Sequence, residues 1–257
     1  MGKFLPSGRD PYAALRIRDF SFFLTARFFL TLGVQVQSVT VGIQIYNLTK
    51  DPLAVGMIGL TEAVPFLLFS LIGGYIADIV RRKFILIIAT AFLLIASWSL
   101  FIVSQDGGLI DRFGPDSYRV WPIYGIIFCT GIARGFLGPV FPSFLAQLVP
   151  RTHLANAATW QSNLFQTALV TGPIIAGLII AGLDLNYAYF TACGLMSVAF
   201  LVMLMVSNLP VPPRLEKEPL ARSLTSGFRF VFSNQIMLSA FTLDLFAVLF
   251  GGAVAMI

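Results

Sequence analysis

Long apolar runs recur along this chain, separated by short polar connectors. The runs cover Phe20–Tyr46, Ala54–Ile79, Phe84–Ser104, Trp121–Leu148, Ala157–Gly182, Tyr187–Ser207 and Ile236–Ile257. Each reaches the ~20 residues that a helix needs to cross the hydrocarbon core of a bilayer. Within lipid the backbone must satisfy its own hydrogen bonds, which leaves helices as the only structure for such segments. The pattern predicts seven membrane-spanning helices and an all-α polytopic membrane protein.

Composition sharpens this picture. The chain is 57% hydrophobic and 11% charged over 257 residues, against about 25% charged residues in ordinary soluble domains. The net charge of +5 could suggest nucleic acid, but its placement argues for topology signals instead. Basic residues gather in alternate connectors: Lys3, Arg9, Arg16 and Arg18 before the first span, Arg81, Arg82 and Lys83 after the second, Arg151 after the fourth, and Arg214, Lys217, Arg222 and Arg229 after the sixth. The opposite side carries Lys50, Arg112 and Arg119. The positive-inside rule then puts the N-terminus in the cytoplasm; the expected location is the cell inner (plasma) membrane. Tyr118, Trp121, Tyr124, Tyr187 and Tyr189 fall at the outer ends, as an aromatic belt does. The N-terminus has no compact apolar core or cleavage site, so it is not read as a signal peptide. Cys129 and Cys193 both fall inside spans, which leaves no disulfide framework or metal spacing.

Four regions follow: a cytoplasmic N-terminus (1–19), a six-helix transmembrane half (20–207), a linker (208–235) and a seventh helix (236–257) that starts a second half. The linker opens with Pro210, Pro212, Pro213 and Pro219 and continues with Leu220, Leu224, Phe228 and Val231, a spacing that suits a short helix on the membrane surface. The sequence ends at Ile257 inside an apolar run, and the expectation is the front part of a longer transporter whose C-terminal half completes it.

The turn Gly74-Tyr75-Ile76-Ala77-Asp78-Ile79-Val80-Arg81-Arg82-Lys83 resembles the loop signature after helix two of the major facilitator superfamily. Gly74 and Asp78 hold their places, and Arg82 and Lys83 supply the closing basic pair. Ile79 stands where a basic residue is usual and Arg81 where a Gly is usual; the second departure is similar to the drug and siderophore exporter branch of enterobactin-exporter type. Ala26-Arg27-Phe28, followed by Gln35, Gln37 and Gly42-Ile43-Gln44-Ile45-Tyr46-Asn47-Leu48-Thr49, resembles that branch's first helix and outer loop. Arg134-Gly135-Phe136-Leu137-Gly138 resembles the helix-four signature, and Gly172-Pro173-Ile174-Ile175-Ala176-Gly177 the helix-five signature of antiporters. The stretch from Asp244 to Gly252 is similar to the branch's seventh helix. The resemblance implies two six-helix halves rocking around a midplane site, with small amphipathic drugs or siderophores exported against proton entry. It also implies that Asp78 braces the partner half in the outward-facing state, and that helices one and seven face each other across the cavity.

Ionisable groups inside spans carry an insertion cost of at least about 2.5–3.5 kcal/mol, so each needs a reason. Arg134 falls near the midplane of the fourth span. It is either a substrate- or proton-linked cation or a lock onto neighbouring carbonyls. Glu62 falls about 12 Å below the outer surface at ~1.5 Å per residue. Low dielectric favours the neutral form of a carboxyl, as a proton carrier requires; the alternative is a counter-ion for Arg134. Arg27 and Asp244 sit at similar depths near the inner face and could pair as a gate, or Arg27 could snorkel to the headgroups. Gln37 and Gln44 are seven apart and share a helix face, as do Asn163, Gln166 and Thr167. Either stripe binds substrate or hydrogen-bonds between helices. Gly172, Pro173 and Gly177 would allow close approach and bending.

The reading is a secondary transporter with a small-molecule substrate, protons and the lipid bilayer as its partners. An importer or facilitator on the same fold, or a non-transporting sensor or assembly protein, are the alternatives. Nothing in the sequence points to an enzyme, a cofactor, a metal or nucleic acid, and no Gly-rich phosphate loop suggests an ATP motor.

Overall fold

A computed structural model describes residues 11–105, 116–207, 239, 242 and 243. The chain divides into a unit Met1–Pro212 and a unit Pro213–Ile257. The predicted linker and nearly all of the seventh span, Asp244 included, lie outside the described residues. The first unit contains six helices: α1 (Arg18–Thr49), α2 (Pro52–Ile79), α3 (Arg82–Ser104), α4 (Asp116–Leu148), α5 (Leu154–Gly182) and α6 (Leu185–Met205). All six are long and apolar enough to cross a membrane, and no strand occurs among the described residues.

The helix ends follow from local chemistry. Lys50 adopts a left-handed conformation (φ 54°) that stops α1, and Asp51 then caps α2 by accepting a hydrogen bond from the Leu53 N–H at 2.9 Å. Pro52 opens α2 at a position where a missing N–H costs nothing. Asp184 caps α6 through the Leu185 N–H at 2.6 Å. Prolines 65, 122, 139, 142 and 173 all sit within helices. Neighbouring helices and hydroxyl side chains make this tolerable in a membrane.

α1 packs between α5 and α6, and α4 packs between α2 and α3. The α3–α6 contact joins these two groups, and α1 also meets α4 and α2. A large apolar cluster fills the end nearest the N-terminus, where Phe23 of α1 meets Phe144 of α4 edge-on at 5.4 Å. A second cluster around Ile45, Leu100 and Ile123 fills the opposite end. α2 and α5 are the least buried helices; Leu67 and Leu68 of α2 and Val170 and Leu178 of α5 stand out from the unit.

The N-terminal segment is docked. Asn156 Nδ2 and Trp160 Nε1, both on α5, donate to the Pro11 carbonyl at 2.7 and 2.8 Å. The Ala14 N–H donates to Asn156 Oδ1 at 3.2 Å, and Tyr12 lies against the Trp160 ring. A short 3-10 turn, Ala14–Arg16, then leads into α1.

Glycines set the closest helix approaches. A Cβ at Gly131 of α4 would lie 2.5 Å from the Glu62 carbonyl oxygen and 2.7 Å from Pro65 Cγ. One turn on, a Cβ at Gly135 would meet the Phe66 carbonyl oxygen at 2.9 Å. Gly131-x-x-x-Gly135 is thus a small-residue contact that lets the α2 and α4 backbones nearly touch. Gly172 makes the same kind of contact with Gln35 of α1. Gly177 departs from the expectation: a Cβ there would meet nothing within 4 Å, because it faces outward from α5. Gly74 is equally open; its neighbour Gly73 makes the close approach, to Phe136 Cα. Gly131→Val is expected to destabilise the protein by about 1–3 kcal/mol through overpacking, and Gly177→Ala by no more than about 0.5 kcal/mol. Thermal unfolding of the two purified variants measures this contrast.

Candidate functional site

Glu62 enters the bundle from α2 beside Pro65, and Arg134 comes from α4 between Gly131 and Gly135. With no side chain at either glycine, the two backbones come close enough for the charged arms to meet. Arg134 Nη1 donates to Glu62 Oε1 in a charge-assisted hydrogen bond. Both side chains are partly buried, at 25% exposure for Glu62 and 39% for Arg134. The two depths estimated from helical rise differ, and the length of the guanidinium arm closes the gap.

The pair borders a small cavity of about 30 Å³, shared with Gln37 and Ser38 of α1 and Thr130 of α4. That volume accommodates about two water molecules. Leu93 of α3 and Met196 of α6 close its far side with apolar surface. The Thr130 hydroxyl is engaged with the Ile127 carbonyl at 2.7 Å. Gln37 Oε1 is buried and accepts no hydrogen bond from the protein among the described residues. Ser38, Thr130 and Gly131 escape a reading based on charge and depth; the Gly131-x-x-x-Gly135 spacing was the available signal for this contact.

The other polar residues separate into distinct environments. Gln44 takes the interhelical alternative: its Nε2 donates to Ser104 Oγ of α3 at 2.8 Å, and its Oε1 accepts from the Tyr189 hydroxyl of α6 at 2.5 Å. It shares a helix face with Gln37 but not its cavity, since both its polar atoms are held by neighbouring helices. Asn163 and Gln166 are exposed on α5 and do not line the Glu62 cavity. Pro173 lies inside α5 directly after the Gly172 contact.

Arg27 does not snorkel. Its guanidinium stacks over the Phe141 ring of α4 at 4.5 Å and faces Phe165 of α5 at 5.7 Å, a cation–π arrangement that joins three helices. Its Nη1 is buried without a hydrogen-bond partner among the described residues.

The basic turn works as a staple. Arg82 Nη1 donates to the Ser143 carbonyl of α4 at 2.8 Å and Arg82 Nε to the Ala77 carbonyl of α2 at 3.3 Å. Lys83 Nζ donates to the Leu204 carbonyl at the C-terminal end of α6, 3.3 Å away, where the helix dipole favours a cation. Arg81 precedes α3, and its carbonyl accepts from the Phe84 N–H. Asp78 is 69% exposed and 3.8 Å from Arg82, which offsets an anion at a helix C-terminus. Arg82→Ala is expected to cost about 1.5–3 kcal/mol through its charged hydrogen bonds. Asp78→Asn should cost less than about 0.5 kcal/mol, because exposed pairs contribute little. Chemical unfolding of the two variants in detergent separates these outcomes.

The model of a family described as transmembrane secretion effector matches residues 9–256. The enterobactin exporter EntS of Shigella flexneri is 27% identical over 217 residues, covering 82% of this chain and 49% of that protein. EntS of Shigella boydii serotype 18 is 26% identical over the same shares. The chain spans about half the length of these relatives. Among solved structures, the POT family transporter PepTSo superposes with a TM-score of 0.60 at 15% identity, over 77% of this chain and 40% of that one. That likeness shows a transporter fold of the major facilitator type. The family and its relatives carry the names of membrane transporters and not of enzymes.

Proposed function

We propose an export function for this chain, which belongs to the transmembrane secretion effector family of the major facilitator superfamily. The intact protein is a secondary transporter that moves small amphipathic molecules, drugs or siderophores, outward by alternating access and takes up protons in exchange. It sits in the inner membrane with its N-terminus in the cytoplasm. Residues 1–19 form the cytoplasmic N-terminus, 20–207 the first six-helix half, 208–235 the connector and 236–257 the start of the second half. A C-terminal half completes the transport path. The names of the relatives as enterobactin exporters favour a siderophore-like substrate.

The observation that carries this reading is the Glu62–Arg134 pair on a small cavity whose polar side chains come from α1, α2 and α4. An ionised Glu62 holds Arg134 by Coulomb attraction in a poorly solvated place. Protonation of Glu62 removes that attraction and frees the guanidinium for a substrate or a second-half carboxylate. Proton binding and release at one carboxyl therefore switch a contact between α2 and α4, as coupling in a proton-driven exporter requires. Arg27 serves as a gating charge near the inner face. Asp78, exposed at the end of α2, braces the second half. Gln37, Asn163 and Gln166 contribute polar surface to the substrate path, and Gly172 and Pro173 let α5 bend against α1.

Glu62→Gln in the full-length protein, reconstituted in vesicles, is expected to lower gradient-driven export by about 5–150-fold while leaving gradient-independent exchange. Flux with and without an imposed pH difference measures this. Export that stays fully gradient-driven in the variant would remove Glu62 as the proton carrier. For the topology, Arg151→Cys should react with an impermeant maleimide only from the cytoplasmic side and Leu183→Cys only from outside. The reverse pattern would invert the orientation.

A further inference from the structure

Gln37 lines the same cavity as Glu62 and Arg134, and its Oε1 is buried with no donor supplied by the described residues. A buried acceptor left unmet is unfavourable, so such an atom calls for a reason. An amide oxygen only accepts hydrogen bonds, and so does an ionised carboxylate. With Glu62 charged and paired to Arg134, the two oxygens have nothing to offer each other. When Glu62 binds a proton it gains one O–H donor, and Gln37 Oε1 is an unmet acceptor on the same small cavity.

We propose that Gln37 is the positioning residue for the protonated form of Glu62, its Oε1 accepting the hydrogen bond that Glu62 donates once it carries a proton. The inference rests on Glu62 being the proton carrier. The proton arrives from a hydronium ion in the water that reaches the cavity and adds to a Glu62 carboxylate oxygen; a water molecule is left behind and no other bond changes. Glu62 then has two partners in two charge states: Arg134 on α4 when ionised and Gln37 on α1 when neutral. Among the described residues lining the cavity, Arg134 is the one charged group that faces Glu62. α1 adds Gln37 and Ser38, the Thr130 hydroxyl of α4 is already engaged, and α3 and α6 present Leu93 and Met196, which do not titrate.

The test is pH-difference infrared spectroscopy of the full-length protein in lipid, where a protonated carboxyl shows its own C=O stretch. Glu62→Gln identifies the band that belongs to Glu62. In Gln37→Leu and in Gln37→Met, which keeps the side-chain length, that band should move to higher frequency as the O–H loses its acceptor. A Glu62 band unmoved in a folded Gln37 variant overturns the role of Gln37 and leaves Glu62 as the proton carrier. A wild-type spectrum without any band that Glu62→Gln removes overturns the proton-carrier reading itself.

Discussion

The structure turns on the bare backbone of α4 at Gly131 and Gly135. Lipid tails are as apolar as leucine, so helices in a membrane gain little from hydrophobic burial and depend on close packing and interhelical hydrogen bonds. The two glycines let α4 lie against the Glu62–Ser70 stretch of α2 with carbonyl oxygens where side chains would otherwise stand. Only at that separation do Glu62 and Arg134 form one ion pair instead of two isolated charges, each costly in hydrocarbon. Packing and candidate chemistry here have a single cause: a substitution at Gly131 would disturb the Glu62–Arg134 contact without touching a titratable group.

Charge is handled in three ways within one small bundle. The Glu62–Arg134 pair is neutralised internally and stays next to a space large enough for water. Arg27 is stabilised by the faces of two phenylalanines. Arg82 and Lys83 donate to carbonyl oxygens near the C-terminal ends of α2, α4 and α6. The basic turn that serves as a topology signal in the sequence thus also ties four helices together at one end. Its cations donate to backbone and not chiefly to Asp78.

Hydrophobic run length was enough to place six helices to within a few residues, and depth along the helix was enough to suggest that Glu62 and Arg134 answer one another. What depth cannot supply is azimuth. Gln37 and Gln44 share a face by periodicity, yet one borders the cavity while the other is clasped by Ser104 and Tyr189. The difference arises because α3 and α6 present Ser104 and Tyr189 at the Gln44 level but Leu93 and Met196 at the cavity, and that is a property of three helices together. Gly177 looked equivalent to Gly172 in the chain, but five residues carry it round to the outer face of α5. Arg27 could not be told from a snorkelling arginine until Phe141 and Phe165, more than a hundred residues away, were placed beside it.

The docked N-terminal segment sets an order of events during synthesis. Pro11 is held by Asn156 and Trp160, 145 and 149 residues further along the chain. At the ~5–20 residues per second of a ribosome, the segment waits about 7–30 s before its partners exist. For the later part of that interval α1 is in the membrane with its leading residues unanchored, and the clasp closes only after α5 has begun to emerge. The first residues made are therefore among the last to reach their place, and their docking marks the arrival of the fifth helix.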